Sequence, residues 1–477
     1  MSILPSVSPY SSMASAMIPE VSQFLTVSEG RKLACTDKKN NALVRHIDTK
    51  LVVKAEKLNE TMANIRFETF PKLRELQLKG NDYPAAFICP NGTGRIDHLS
   101  VKNQYNLPPN SLNRLIEPFS SVARLTLSNV SVGYLAPPFL APATHQLSDA
   151  ARASLNGLKE LDLGATSVHP EGVRTLVLGQ TQLTSVTLGQ GEISDVILRE
   201  LVLNENLTHL DLISVLGNNV NYEILTNCHG LRSFAPSRGM TEAQLIAILS
   251  ENPEITHLNL SVCDKSAVTD DVLQTIRTKN PKIQSLQIGN GTITGLELIE
   301  FTKACTDLRS LELGSYGRSF GAVSPEDMTT AVSHCQKLVS LNISGEGLTD
   351  EFLTMISGKT TLKELSIPSM SSEFSESGIK LLRNLVNLEA LNLDQCNRVT
   401  DESLKLLIDA LPNLKKLRIN CWGANLTMDL IHHIKAKLTD GTCHLTYLGV
   451  YEAGLPIQEV NAILQKSEAN PKGIQLG

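Results

Sequence analysis

One pattern constrains this chain more than any other. The spacing Leu-x-x-Leu-x-Leu, with Ile, Val or Phe allowed at the apolar positions, recurs from residue 73 to residue 450. Clear copies begin at Leu73, Leu158, Leu207, Ile255, Leu308, Leu338, Leu362, Leu388 and Leu414, and weaker ones at Ile96, Val122, Leu183, Leu231, Ile283 and Leu445. The fifteen copies are about 26.6 residues apart, and many steps are 24 to 26. The second and third apolar positions alternate, as in a short strand with one buried face. About ten residues later comes a helical stretch with its own start signals. Thr269-Asp270-Asp271, Thr349-Asp350-Glu351 and Thr400-Asp401-Glu402 each set a hydroxyl before two acidic first-turn residues. Ser324-Pro325 adds a proline at the first helical position, and Thr241 with Gln244 has capping-box spacing. A single strand and helix cannot bury their apolar faces alone, so neighbouring units must stack.

Composition agrees with a stacked aliphatic core. Leu accounts for 72 of the 477 residues, while aromatics are 4%. The net charge is −6 and there is no run of five basic residues, which argues against a duplex nucleic-acid binder. No apolar run reaches 18 residues, so a membrane-spanning helix is not expected. Met1 to Ala16 lacks the basic and apolar regions of a secretion signal. The nine cysteines include no Cys-x-x-Cys pair, which argues against a zinc ribbon or a disulfide framework and favours a reducing, cytoplasmic setting.

The copies LEALNLDQCNRVTDESLKLLIDALPNL (388 to 414) and ITHLNLSVCDKSAVTDDVLQTIRTKNPKI (255 to 283) resemble the cysteine-containing leucine-rich repeat. That resemblance implies an α/β leucine-rich-repeat solenoid, a horseshoe of about fifteen strand–helix repeats spanning residues 71–450. Residues 451–477 would close its C-terminal end. Cys263 and Cys396 lie three residues past a strand's last Leu, and Cys228, Cys305 and Cys335 three residues before the next repeat. Such recurrence marks them as buried packing residues. The Pro-rich stretch Leu135–Pro142 and the Gly-rich stretch Gly314–Gly321 interrupt the rhythm as surface insertions.

Signals for chemistry are sparse. There is no HExxH, Walker loop or GxSxG. Gly189-Gln-Gly191, Gly289-Asn-Gly291 and Gly345-Glu-Gly347 occupy one place in three repeats and read as turns. His209 and Asp211 share columns with His257 and Asn259, and the two histidines would stand about 10 Å apart, too far for one metal. Cys-x-Asp, used by some bacterial leucine-rich-repeat ubiquitin ligases, occurs at Cys35-Thr36-Asp37 and Cys305-Thr306-Asp307, but without that family's helical catalytic domain. No metal, cofactor or catalytic residue is therefore expected. The strand positions facing outward are the expected binding surface. They read Glu75/Gln77, Glu160/Asp162, Ser285/Gln287, Ser310/Glu312, Ser340/Asn342, Lys416/Arg418 and Tyr447/Gly449. Lys416, Arg418, Trp422, Tyr447 and Tyr451 gather near the C-terminus as candidate anchors for a target protein.

Residues 1–16 read as a flexible tail, and residues 17–70 as short amphipathic helices. The bland expectation for that segment is a cap on the open end of the stack. It also resembles an F-box. Ile18-Pro19-Glu20 matches the opening turn, Phe24-Leu25 the end of the first helix, and Leu33-Ala34, Lys38 and Leu43 the remainder. The first helix is shorter than the family's, and Asn40 stands where the family often has Trp. The resemblance implies the substrate-recognition subunit of a Skp–cullin–F-box ubiquitin ligase. Ile18, Pro19, Val21, Phe24, Leu25, Leu33 and Leu43 would bury apolar surface on a Skp-type adaptor, with the repeats holding a target protein. The alternative is a leucine-rich-repeat scaffold or inhibitor whose N-terminus is only a cap; repeats of 24 to 26 residues are shorter than those of the RanGAP kind. Either reading suits a eukaryotic chain or a bacterial effector delivered to host cytoplasm.

Overall fold

A computed structural model describes the strands between residues 26 and 55, then 73–80, 96–102, 113, 116–117, 119–128, 131–132, most of 147–464, and 474–476. Within 147–464 the exceptions are 216–219, 315–322, 344–346, 369–373, 421–425, 451–452 and positions 165, 169, 192 and 397. The chain divides into two compact units, Met1–Gly239 and Met240–Gly477.

The N-terminal unit is built on a sheet. Strands Glu75–Gly80, Ile96–Lys102, Val122–Ser128, Glu160–Asp162, Ser185–Thr187, His209–Asp211 and Ser233–Ala235 pair in parallel, each with the next. In the C-terminal unit, His257–Leu260, Ser285–Ile288, Ser310–Leu313, Ser340–Ile343, Glu364–Ser366, Ala390–Asn392, Lys416–Arg418 and Tyr447–Gly449 do the same, and Gln475–Leu476 adds to the last. The strands of the fifteen copies all form where the repeat spacing puts them. Parallel strands need crossovers, and helices supply these in the described repeats from Asp149 onward, among them Asp270–Lys279, Asp350–Ser357 and Asp401–Ala410.

The core is the repeat made physical. In the copy starting at Leu388, residues Leu388, Leu391 and Leu393 are at most 1% exposed, and Leu404 and Leu407 on the helix that follows are fully buried. Each such side chain contributes about 1.5–3 kcal/mol by leaving water. Registers match Leu to Leu, as in Leu311 beside Leu286 and Leu341. The cysteines behave as expected: Cys228, Cys263, Cys305, Cys335 and Cys396 are all buried.

Capping is nearly as expected. Thr241 and Gln244 cap reciprocally, Ser324 accepts from the Asp327 amide with proline at the helix start, and Thr400 boxes with Ser403. Thr269 departs from this. Its hydroxyl makes no cap bond and instead donates to Glu242 on the preceding helix. The same stitch recurs. Thr294 donates to Asp270 from its amide (2.7 Å) and hydroxyl (2.9 Å). Ser375 donates both groups to Asp350, Thr427 both to Asp401, and Thr400 its hydroxyl to Glu376. The first-turn acid thus serves its own helix dipole and ties down the next helix start.

The helical reading of residues 17–70 needs correction over the residues described. Thr26–Ser28, Lys32–Asp37, Ala42–Ile47 and Lys50–Ala55 are strands, each antiparallel to the next. Lys50–Ala55 then pairs in parallel with Glu75–Gly80. Leu33 and Leu43 therefore lie on strands. The physical reason is visible in ALVRHI and KLVVKA, two apolar runs that carry β-branched residues and sit two positions apart in the sequence. Ile18, Pro19, Val21, Phe24 and Leu25 lie outside the described residues.

Candidate partner-binding face

Each parallel strand sends alternate side chains away from the core, and register lines them into two columns. In the N-terminal unit one column runs Lys50, Glu75, His98, Arg124, Glu160, Ser185, His209, Ser233. Its charges pair along the column. Lys50 Nζ is 2.8 Å from Glu75, and Arg124 grips Glu160 with two nitrogens, one at 2.7 Å. The Lys50 hydrogen bond holds the Glu75 carboxyl below its usual range. His98 sits between Glu75 and Arg124 and shares a 3.0 Å hydrogen bond with Thr126. Burial, then the Arg124 charge, push the His98 pKa down. In the second column Asp162 and Asp211 each fasten a loop amide, and burial with the nearby Asp162 charge pushes Asp211 up.

The C-terminal unit presents a different face. Ser285, Ser310 and Ser340 align in one column, with Gln287, Glu312 and Asn342 aligned in the other. Burial raises the Glu312 pKa, and the Asn342 amide offsets part of the shift. Ser340 Oγ donates to Glu364 at 3.1 Å, and Asn392 donates to Ser366 at 3.1 Å. Ahead of the strands Glu389 bridges Lys363 (3.1 Å) and Lys415 (2.6 Å).

Of the five anchors expected near the C-terminus, three are brought together. Lys416 is beside Tyr447 and Arg418 beside Gly449 on adjacent strands. Trp422 and Tyr451 lie outside the described residues. Arg418 is not an open cation. It is bound at 2.8 Å by Asp394, which is only 10% exposed and also accepts the Asn420 amide. Sequence reasoning missed Asp394 because it falls two residues past strand Ala390–Asn392, outside the alternating pair; its signal was an acid just beyond the strand that pairs with Lys416–Arg418. The turn there is strained, with Gln395 at φ 66°. Arg418 Nε and Asn420 Oδ1 are buried without a hydrogen-bond partner.

The remaining candidates resolve structurally. Burial pushes the thiols of Cys263, Cys305 and Cys335 up to about 12 and that of Cys228 to about 11, so Cys305-Thr306-Asp307 holds no ready nucleophile. A side chain at Gly189 would strike the carbonyls of Leu163 and Thr166, and one at Gly289 that of Ser261. These glycines exist because consecutive repeats touch there. His209 and His257 each bond the preceding threonine hydroxyl, and His433 bonds Asp409 at 2.9 Å. Among the described residues no group of three His, Cys, Asp or Glu could hold a metal, and no helix is long and apolar enough to cross a membrane.

The fold is that of a leucine-rich-repeat protein. No family model matches the chain. It is similar to Antagonist of mitotic exit network protein 1 of Candida glabrata, 25% identical over 199 residues, which span 40% of this chain and 37% of that protein. Among solved structures, an internalin from Listeria monocytogenes aligns at 18% identity, covering 79% of this chain and 83% of that one, with a TM-score of 0.32. Rad7, solved in complex with Elc1 from yeast, aligns at 16%, covering 50% of this chain and 65% of that one, with a TM-score of 0.35.

Proposed function

We propose that this chain is a non-enzymatic recognition protein that holds a protein partner on the open face of its parallel sheets. One observation carries the reading. In both units the outward columns form an in-register grid of hydroxyl, amide and charged side chains over a core of buried leucines. Such a grid offers many directional contacts on a rigid support, which is what selective protein binding requires. The similarity to a protein named as an antagonist of a network supports a regulator acting through binding.

The finer proposal makes the chain the substrate-recognition subunit of a Skp–cullin–F-box ligase. Its support is the resemblance carried by Ile18, Pro19, Phe24, Leu25, Leu33 and Leu43. The strands at Lys32–Asp37 and Ala42–Ile47 weigh against it, because the adaptor-binding motif is helical. We therefore rank the scaffold reading first.

Two experiments separate them. A photo-crosslinking amino acid is placed at Ser310 on the face or at Gln274 on the exposed side of helix Asp270–Lys279, in cells that make the protein. A discrete protein adduct from Ser310, absent from Gln274 and abolished by Asn342→Arg, is expected; equal labelling from both sites would overturn the reading. Binding of a purified Skp-type adaptor that Ile18→Ala with Pro19→Ala weakens tenfold or more would promote the ligase reading. Absence of binding by the folded chain would remove it.

A further inference from the structure

The two faces handle charge differently. In the N-terminal unit opposite charges sit on adjacent strands and pair with each other, as Lys50 does with Glu75 and Arg124 with Glu160. In the C-terminal unit they are kept apart. Glu312 is flanked in its column by Gln287 and Asn342, and Glu364 by Ser340 and Ala390. Lys416 lies between Ala390 and Tyr447. Among the described residues none of these three charges has an ion-pair partner, whereas the neighbouring Arg418 is matched by Asp394. The face is thus acidic around Glu312 and Glu364 and basic at Lys416.

Solubility alone does not call for this arrangement. Covering an unpaired charge with a partner costs desolvation unless the partner brings the opposite charge. Separated charges of opposite sign therefore select both the composition and the direction of what binds. Four strand steps separate Glu312 from Lys416, about 19 Å at the usual strand spacing. An extended segment lying across the strands covers that distance in about five or six residues. Between the two poles the face offers short side chains, Ser340, Ser366, Ala390 and Asn392, which leave room for a backbone and supply donors and acceptors to it.

We propose that the C-terminal unit binds an extended protein segment carrying a basic residue and, about four to six residues away, an acidic one. The basic residue sits over Glu312 and Glu364 and the acidic residue on Lys416. The proposal rests on the reading of the sheet face as a partner surface and names the partner's chemistry.

The test selects a phage-displayed library of random twelve-residue peptides on the full chain. Enriched peptides should share a Lys or Arg and an Asp or Glu at that spacing. Lys416→Glu should weaken the best peptide at least tenfold, and the same peptide with its acid replaced by Lys should regain binding on that variant. Glu312→Gln with Glu364→Gln should weaken the original peptide to a similar degree. Rescue by the charge-swapped peptide cannot come from unfolding. Enriched peptides lacking the charge pair, or bound equally by the variants, would overturn the charge register and leave partner recognition standing. Failure to enrich any peptide would also overturn it, with the crosslinking at Ser310 still deciding whether the face is used.

Discussion

Lys359 shows how one position can carry a repeat junction. It stands three residues before the repeat at Leu362, a column that elsewhere holds Asn252, Asn280, Cys305, Cys335, Leu385 and Leu411. Its side chain crosses to the preceding helix end and donates to the carbonyls of Cys335 (2.9 Å) and Ser333 (3.2 Å). Burial pushes its pKa below the usual lysine value, yet those two carbonyls need a donor. Lys359→Met keeps the apolar stem and removes the donors. Urea unfolding should show a loss of about 1–3 kcal/mol. Lys359→Asn should recover part of it, since Asn280 already bonds the carbonyls of Leu249 and Asn252 from the same column. His98 yields the second prediction at this scale. Its folded pKa lies below its ordinary value, through burial first and the Arg124 charge second. The unfolded chain therefore binds more protons, and stability falls as pH drops from about 6.5 through the folded value. Melting of the native chain between pH 7 and 5 should show that decline, and His98→Gln should flatten it.

At the scale of elements, the junction between helices is as informative as the helices. The Thr-Asp and Ser-Pro starts are legible in the sequence because capping is local. What the acid right after the capping residue does is not local. Asp350 accepts both the amide and hydroxyl of Ser375, 25 residues on, and a side chain at Gly378 would strike that same carboxylate. Asp350→Ala should cost about 1–2 kcal/mol in urea unfolding. Hydrogen exchange should rise at the starts of both Asp350–Ser357 and Glu376–Leu381. A loss confined to the first helix would mean the stitch carries no energy.

At the scale of the molecule, the stack needs an end. Lys50–Ala55 covers the edge of Glu75–Gly80 over six register pairs, and the three antiparallel strands before it extend the sheet. A chain starting at residue 56 would expose that edge, an invitation to pair with another copy. Light scattering should detect concentration-dependent association of that truncated chain at concentrations where the full chain shows none. At the other end, Gln475–Leu476 pairs with Tyr447–Gly449, and helix Ile457–Leu464 buries Val460 and Leu464.

The repeat period, the strand positions, the buried leucines and cysteines and most helix caps were all legible in the residues. They depend on spacing within one repeat, which local sterics and burial decide. The N-terminal strands were misread because a short apolar run with turn residues fits either short helices or a meander until its partner is known. Glu75–Gly80 is that partner, and it lies beyond the segment itself. Likewise Lys416, Arg418 and Tyr447 could be placed on one face from register alone. That Arg418 is bound to Asp394 while Lys416 has no ion-pair partner among the described residues depends on distances between residues more than 20 positions apart. Charge pairing is a property of neighbours in space, and only the stacked repeats create those neighbours.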